Sequence, residues 1–267
     1  MICLYAFFCV LLHSQMASFF AHPMLVFEYP HKNISKMKKR LLFVLTALLV
    51  FMTGCEFDKP TGDGIFSVSP TQQVRIASGN LVYDSVADVY SFAQHQFDYG
   101  DYFRWGTGSN PLSMQGNFLE AFDDWGSHMD GGWRTLTADE WRYLVFSRPG
   151  YDEKYAYAIV CGVKGMLLLP DNFEGYVNTT RWDFADNEYD AEEWADMEAA
   201  GCVFLPAAGR QESDSHVALN TEKYGYYWTS SSDDYSATAF RIATWFDEID
   251  DWMSFSDGCS VRLVKNI

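Results

Sequence analysis

Positive charge is scarce in this 267-residue chain, where 19 lysines and arginines face 36 aspartates and glutamates. Beyond residue 54 the imbalance widens to 14 basic against 35 acidic residues, a net charge of −21. A field of that sign repels nucleic-acid phosphates and anionic lipid headgroups, so neither is an expected partner. Histidine is rare as well. His95, His128 and His216 are the three beyond residue 54, and no Gly-x-Ser-x-Gly elbow accompanies them. A Ser–His–acid triad therefore has little to be built from. There is no C-x-x-C and no Cys/His cluster, which argues against zinc. Cys161, Cys202 and Cys259 sit in apolar, strand-like stretches, where a thiol behaves as a small hydrophobe. One bridge among the three stays open, and spacing does not say which.

Carboxylates are abundant and often adjacent, as in Asp123-Asp124, Glu192-Glu193, Asp233-Asp234 and Asp250-Asp251. Glycoside hydrolysis needs two carboxyls roughly 5–10 Å apart across a cleft, a geometry that adjacency does not supply. Solvated charge is the simpler reading. No EF-hand pattern is present, and the Glu-Pro-Asn and Trp-Asn-Asp triplets of calcium-dependent lectins are missing. No cofactor is expected, with a structural calcium at the acidic runs 183–193 or 247–251 the one cation left open.

The longest apolar stretches lie near the start. Met37-Lys38-Lys39-Arg40 supplies a basic segment, residues 41–52 an apolar core broken by Thr46, and Met52-Thr53-Gly54-Cys55 a cleavage-like end. That order is the layout of a secretory signal. Its end is similar to the lipobox of bacterial lipoproteins, with Met52 where that motif usually carries Leu, and it implies lipidation of Cys55. Residues 1–36 are then expected to be an upstream extension from an early start codon, residues 37–54 the signal peptide and residues 55–64 a Gly- and Pro-containing tether. The expected location is the cell envelope, lipid-anchored at the outer membrane and displayed at the cell surface, with the anchor the sole contact to the membrane.

Residues 65–267 are long enough for one domain. Short alternating runs predict strands at 66–69, 73–77, 80–84 and 89–93, a hairpin of 155–161 with 164–169, and strands at 202–207, 226–230, 237–243, 251–256 and 260–264. The stretch 99–132 mixes glycines with Trp105, Phe118, Phe122 and Trp125, as in a loop packed by its own aromatics. Thr137-Ala138-Asp139-Glu140 is a capping box opening a helix over Ala138–Phe146. Asp190-Ala191-Glu192-Glu193 opens another over residues 191–200, stopped by Gly201. Strands, two helices, then strands describe an α+β class with helices packed on antiparallel sheets and long irregular loops between them.

Five segments carry a resemblance. They are Gly132-Trp133-Arg134-Thr135-Leu136-Thr137 with Glu140-Trp141; Gly165 through Asp171; Glu198 through Gly209; Tyr226-Tyr227-Trp228-Thr229-Ser230-Ser231; and Gly258 through Val264. In this order they resemble the paralogous-domain lipoproteins of Fibrobacter- and Bacteroides-type bacteria, relatives of the C-type-lectin-like fold shared with sulfatase-modifying factors. The resemblance spans nearly all of residues 66–265. It implies a C-type-lectin-like core of sheets and two helices whose C-terminal strands and loops present a variable surface. In some members retroelements diversify that segment, which corresponds here to residues 228–260.

The resemblance thus implies a non-enzymatic lipoprotein whose ligand is a protein or a glycan. Its expected ligand-facing residues are Tyr227, Ser231, Asp233, Asp234, Tyr235, Phe246, Asp247, Asp250, Asp251, Trp252, Ser254, Ser256 and Asp257. Aromatic rings offer large contact area at low entropic cost, and Ser and Asp add adaptable hydrogen bonds. Phe240, Ile242, Val261 and Leu263 are the expected core between them. Two other classes compete. A sulfatase-modifying-type enzyme needs a cysteine pair, and Cys259 has no neighbouring partner; a cryptic hydrolase would need a Ser–His–acid triad or a carboxylate-lined cleft. A structural envelope or adhesin component would instead self-associate.

Overall fold

The computed structural model describes residues 64–117, 121–243 and 247–267, the side chains of Asp250 and Asp251 excepted. The proposed signal, Cys55 and most of the tether, along with Phe118, Trp245 and Phe246, lie outside the described residues. The opening strands are β1 (Phe66–Ser67), β2 (Gln73–Ile76), β3 (Leu81–Asp84) and β4 (Val89–Phe92). Then come β5 (Trp133–Arg134), helix α1 (Ala138–Phe146), β6 (Tyr155–Val160) and β7 (Val163–Leu168). They are followed by β8 (Glu188–Tyr189), helix α2 (Ala191–Ala199), β9 (Val203–Pro206), β10 (Arg210–Gln211) and β11 (Ala218–Leu219). The last four strands are β12 (Tyr224–Ser232), β13 (Ala237–Ala243), β14 (Glu248–Met253) and β15 (Val264–Asn266).

Three sheets carry the architecture, in the orders β1-β2-β15-β5, β8-β6-β7-β9 and β12-β13-β14. The class is α+β. One short ladder, β6 with β8, runs parallel, while the other strand pairs of these sheets are antiparallel. Between β6 and β7 the two-residue turn Cys161-Gly162 has φ of 50° and 84°. Positive φ at both central positions is what a hairpin of right-twisted strands requires, and glycine supplies the second without strain.

Both helices begin where their caps dictate. Thr137 Oγ1 accepts the Glu140 N–H at 3.1 Å while the Glu140 carboxylate accepts the Thr137 N–H at 2.8 Å. Each such cap is worth about 1 kcal/mol. Asp190 and Glu193 form the same reciprocal pair at the start of α2. Trp141, Leu144 and Val145 form the buried face of α1, and the Trp141 ring stacks on Phe240 of β13 at 4.7 Å. The buried residue of α2 is Trp194, which meets Phe204 of β9 edge-on at 5.8 Å.

Strand β12 is enclosed on both faces. Tyr227 points into the core under α1, and Trp228 points the opposite way, into a second core lined by Phe103, Trp105, Trp125 and Trp133. Two indoles lock that second core. Trp228 Nε1 donates to the Phe103 carbonyl at 2.7 Å, and Trp105 Nε1 donates to the Thr229 carbonyl at 2.9 Å. Phe122 bridges Trp105 and Trp125, with ring centroids 4.9 and 5.4 Å away. The long irregular segment is thus packed by its own aromatic rings, which offset the cost of ordering it.

Arg262 is buried, and its guanidinium is held by amide and carbonyl oxygens. It donates to Asn80 Oδ1 at 2.9 Å and to the carbonyls of Ala77 and Phe204 at 2.9 and 2.7 Å. Burial lowers its pKa to about 10, which still leaves it charged at neutral pH. The expected strand at 260–264 is displaced to β15. Cys259 bridges Phe103, Ser260 bridges Tyr227, and the carbonyls of Val261 and Leu263 accept from Leu81 and Ala77. A segment whose bonds go to several partners forms no continuous ladder.

Candidate functional site: the distal rim of the C-terminal sheet

The register of β12-β13-β14 fixes where the tail's polar residues gather. Ala237 pairs with Ser232 on one side and with Met253 on the other. The turn 233–236 and the residues around Trp252 therefore share one end of the sheet. Tyr235 is 87% exposed and Trp252 83% exposed there, while Ala237, Ala239 and Phe240 directly behind them are fully buried. Large aromatics held in water above a closed core are the arrangement that a binding surface uses. Asp233 sets the turn. Its Oδ1 accepts from the Tyr235 and Ser236 N–H groups at 2.7 Å each, and these bonds keep the carboxyl below its ordinary range. Asp234, Ser232 and Ser254 are exposed beside it.

The structure removes several expected residues from this surface. Tyr227 is fully buried, and its hydroxyl donates to the Pro206 carbonyl at 2.8 Å. It faces the core because β12 has no solvent side. Ser231 is half-buried and its Oγ accepts the Ala138 N–H at 3.0 Å, satisfying one of the open donors at the start of α1. Ser256 ties down the irregular loop by accepting the Gly116 N–H at 3.3 Å. Asp257 is buried and ion-paired with Arg210 at 2.8 Å. Asp247 turns inward as well. Its carboxylate accepts from the Tyr157 hydroxyl at 3.0 Å and the Ala243 N–H at 3.2 Å, though the residue keeps some surface in water. Burial pushes that carboxyl up to about 7. Phe246 and the side chains of Asp250 and Asp251 lie outside the described residues. Tyr235, Trp252, Asp233, Asp234 and Ser254 are what the fold brings together.

The reactive-looking groups have structural occupations. His128 Nε2 meets Asp123 Oδ1 at 2.7 Å. Burial works against the Asp123 carboxylate, yet bonds from His128 and from the Ser109 side chain and backbone hold it below its ordinary range. Serine and histidine both address the acid, whereas nucleophile activation needs histidine between the other two. The Cys202 and Cys259 side chains are buried, Cys161 is half-buried, and no disulfide joins any two of the three. Burial pushes the Cys202 thiol up to about 12, so it stays protonated at neutral pH. In the acidic run 183–193, Asp183 and Asp190 cap helical turns, and Asp186 and Glu193 reach back to them.

Sequence reasoning concentrated on the tail and passed over three exposed aromatics elsewhere: Tyr151, Tyr176 and Trp182, at 40, 91 and 67% exposure. For Tyr176 and Trp182 the available signal was a turn-rich composition, since residues 171–183 mix Asn, Asp, Gly and Thr with Phe, Tyr and Trp. No family model, no curated protein and no solved structure matches the chain.

Proposed function

We propose that this protein is a non-enzymatic cell-envelope lipoprotein, anchored through Cys55, that displays a C-type-lectin-like domain and binds a protein or glycan ligand at the distal rim of its C-terminal sheet. The ordered segments from Gly132 to Val264 support that family reading, as do two helices packed on sheets and a final strand, β15, returned between β2 and β5. The observation that carries the binding role is the pair Tyr235 and Trp252, both more than four-fifths exposed at one end of a sheet whose interior is closed. Exposed tyrosine and tryptophan with acidic and hydroxyl neighbours give an aromatic centre and a polar rim.

The Y235A/W252A double variant tests it. Both rings lie mostly in water, so the melting temperature is expected to stay within a few degrees of wild type. Screened against arrayed glycans and arrayed envelope proteins, wild-type protein is expected to find at least one ligand, and the double variant to lose tenfold or more in affinity for it. A ligand held equally by both proteins, or an empty screen, contradicts the proposal.

A further inference from the structure

We infer that Trp182, Tyr151 and Arg181 form a second binding site, separate from the distal rim, whose ligand is a saccharide. The site lies where two loops meet around the start of β6. Arg181 donates to the Asp152 carbonyl at 2.8 Å, which joins the loop carrying Trp182 to the turn carrying Tyr151. The same guanidinium lies over the Tyr155 ring, 4.4 Å from its centroid. Each exposed ring is thus the chain neighbour of a residue in that contact.

The loop is held rigidly for something so exposed. Asp186 accepts from Thr180 Oγ1 at 3.0 Å, from the Trp182 N–H at 3.2 Å and from the Asp183 N–H at 3.1 Å. Arg181 itself adopts φ of 59°, a left-handed conformation that costs a residue with a Cβ about 1 kcal/mol or more. Strain retained at an arginine, with a carboxylate fixing the next peptide, holds the backbone that carries the indole. A preorganised loop pays less ordering entropy on binding.

The chemistry selects the ligand class. A pyranose has a flat face of C–H groups that packs on an aromatic ring and a periphery of hydroxyls that both donate and accept. Trp182 and Tyr151 offer the rings. Among the described residues the Asp152 carbonyl takes one N–H of Arg181, and a guanidinium has five to give. The exposed Asp152 is the adjacent acceptor. An apolar peptide would want a groove lined by aliphatic side chains; Asp152, Glu153, Arg181 and Asp183 border these rings in sequence instead.

The test uses the intact chain with cellohexaose, xylohexaose, mannohexaose and chitohexaose, read by titration calorimetry and tryptophan fluorescence. At least one is expected to bind with a dissociation constant on the order of 1 mM or tighter. W182A is expected to weaken it by about tenfold or more, Y151A by less, and Y235A/W252A not at all. Circular dichroism and melting curves of W182A should match wild type, since the ring is exposed. No binding by any of the four sugars overturns the proposal. So does binding that W182A leaves intact, and binding lost in Y235A/W252A but kept in W182A would assign the sugar to the rim instead. A response to an apolar dye such as anilinonaphthalene sulfonate without any to sugars would mark an apolar patch and also overturn it.

Discussion

Trp228→Ala is expected to cost about 3–5 kcal/mol, the usual penalty for truncating a buried tryptophan. For a domain of this size that is a fall of roughly 10 °C in melting temperature. Two losses combine. The ring leaves a cavity in the core formed by Phe103, Trp105, Trp125 and Trp133, and the Phe103 carbonyl loses its 2.7 Å donor. Since Trp105 answers with its own bond to Thr229, the substitution loosens the contact that holds the irregular segment against β12. Trp228→Phe separates the terms, because it fills most of the volume without the N–H. About half of the loss should return. Thermal melts of both variants decide it. A W228A protein melting within 2 °C of wild type would mean that β12 is not the partition between two cores.

The second large effect is a pH dependence centred on Asp247. Burial penalises its anion and lifts the carboxyl to about 7, with the Ala243 N–H, the Tyr157 hydroxyl and Arg181 opposing that rise only in part. In the unfolded chain an aspartate titrates near 3.9. Between those values the folded chain keeps a proton that the unfolded chain has released. Stability from this group is therefore fully present below about pH 4, declines as pH rises toward 7 and levels off above. At about 1.4 kcal/mol per unit the ceiling is about 4 kcal/mol, and the residue's partial contact with water brings the expectation to about 1–3 kcal/mol. Asp247→Asn keeps an acceptor oxygen for Tyr157 and Ala243 but carries no charge. It should be more stable than wild type at pH 8 and equal to it at pH 4. Urea unfolding at both pH values reads the difference; a gap that does not change with pH would place the titration elsewhere.

The two helices were the most legible parts of the sequence. A capping box names its own first residue, so α1 spans Ala138–Phe146 as its local signals require, and α2 ends one residue before the expected 200. The hairpin was legible because Gly162 stands between two strand-like runs and supplies the positive φ that a tight turn requires. Where the tail was misread, burial on both faces is the cause. Alternation distinguishes core from solvent only when a strand has a solvent side, and β12 has none through residues 225–229. Tyr227 therefore looked like its exposed neighbours. Arg262, Asp247 and Asp257 were invisible for another reason. A charged side chain reads as surface, and the partners that let these three turn inward come from segments far off in sequence. Tyr235 and Trp252 were legible because turn residues and a strand end leave a large ring nowhere to bury.

Scaffold and rim make opposite demands on sequence. A substitution scan of residues 225–263 in the intact chain, scored by protease resistance of the folded protein, measures both at once. The account predicts that Ser232, Asp234, Tyr235, Trp252 and Ser254 accept most side chains without loss of resistance, while Tyr227, Trp228, Phe240 and Arg262 accept almost none. Equal intolerance at Tyr235 and Trp252 would mean that those rings hold the fold together, and would contradict a rim built to bind.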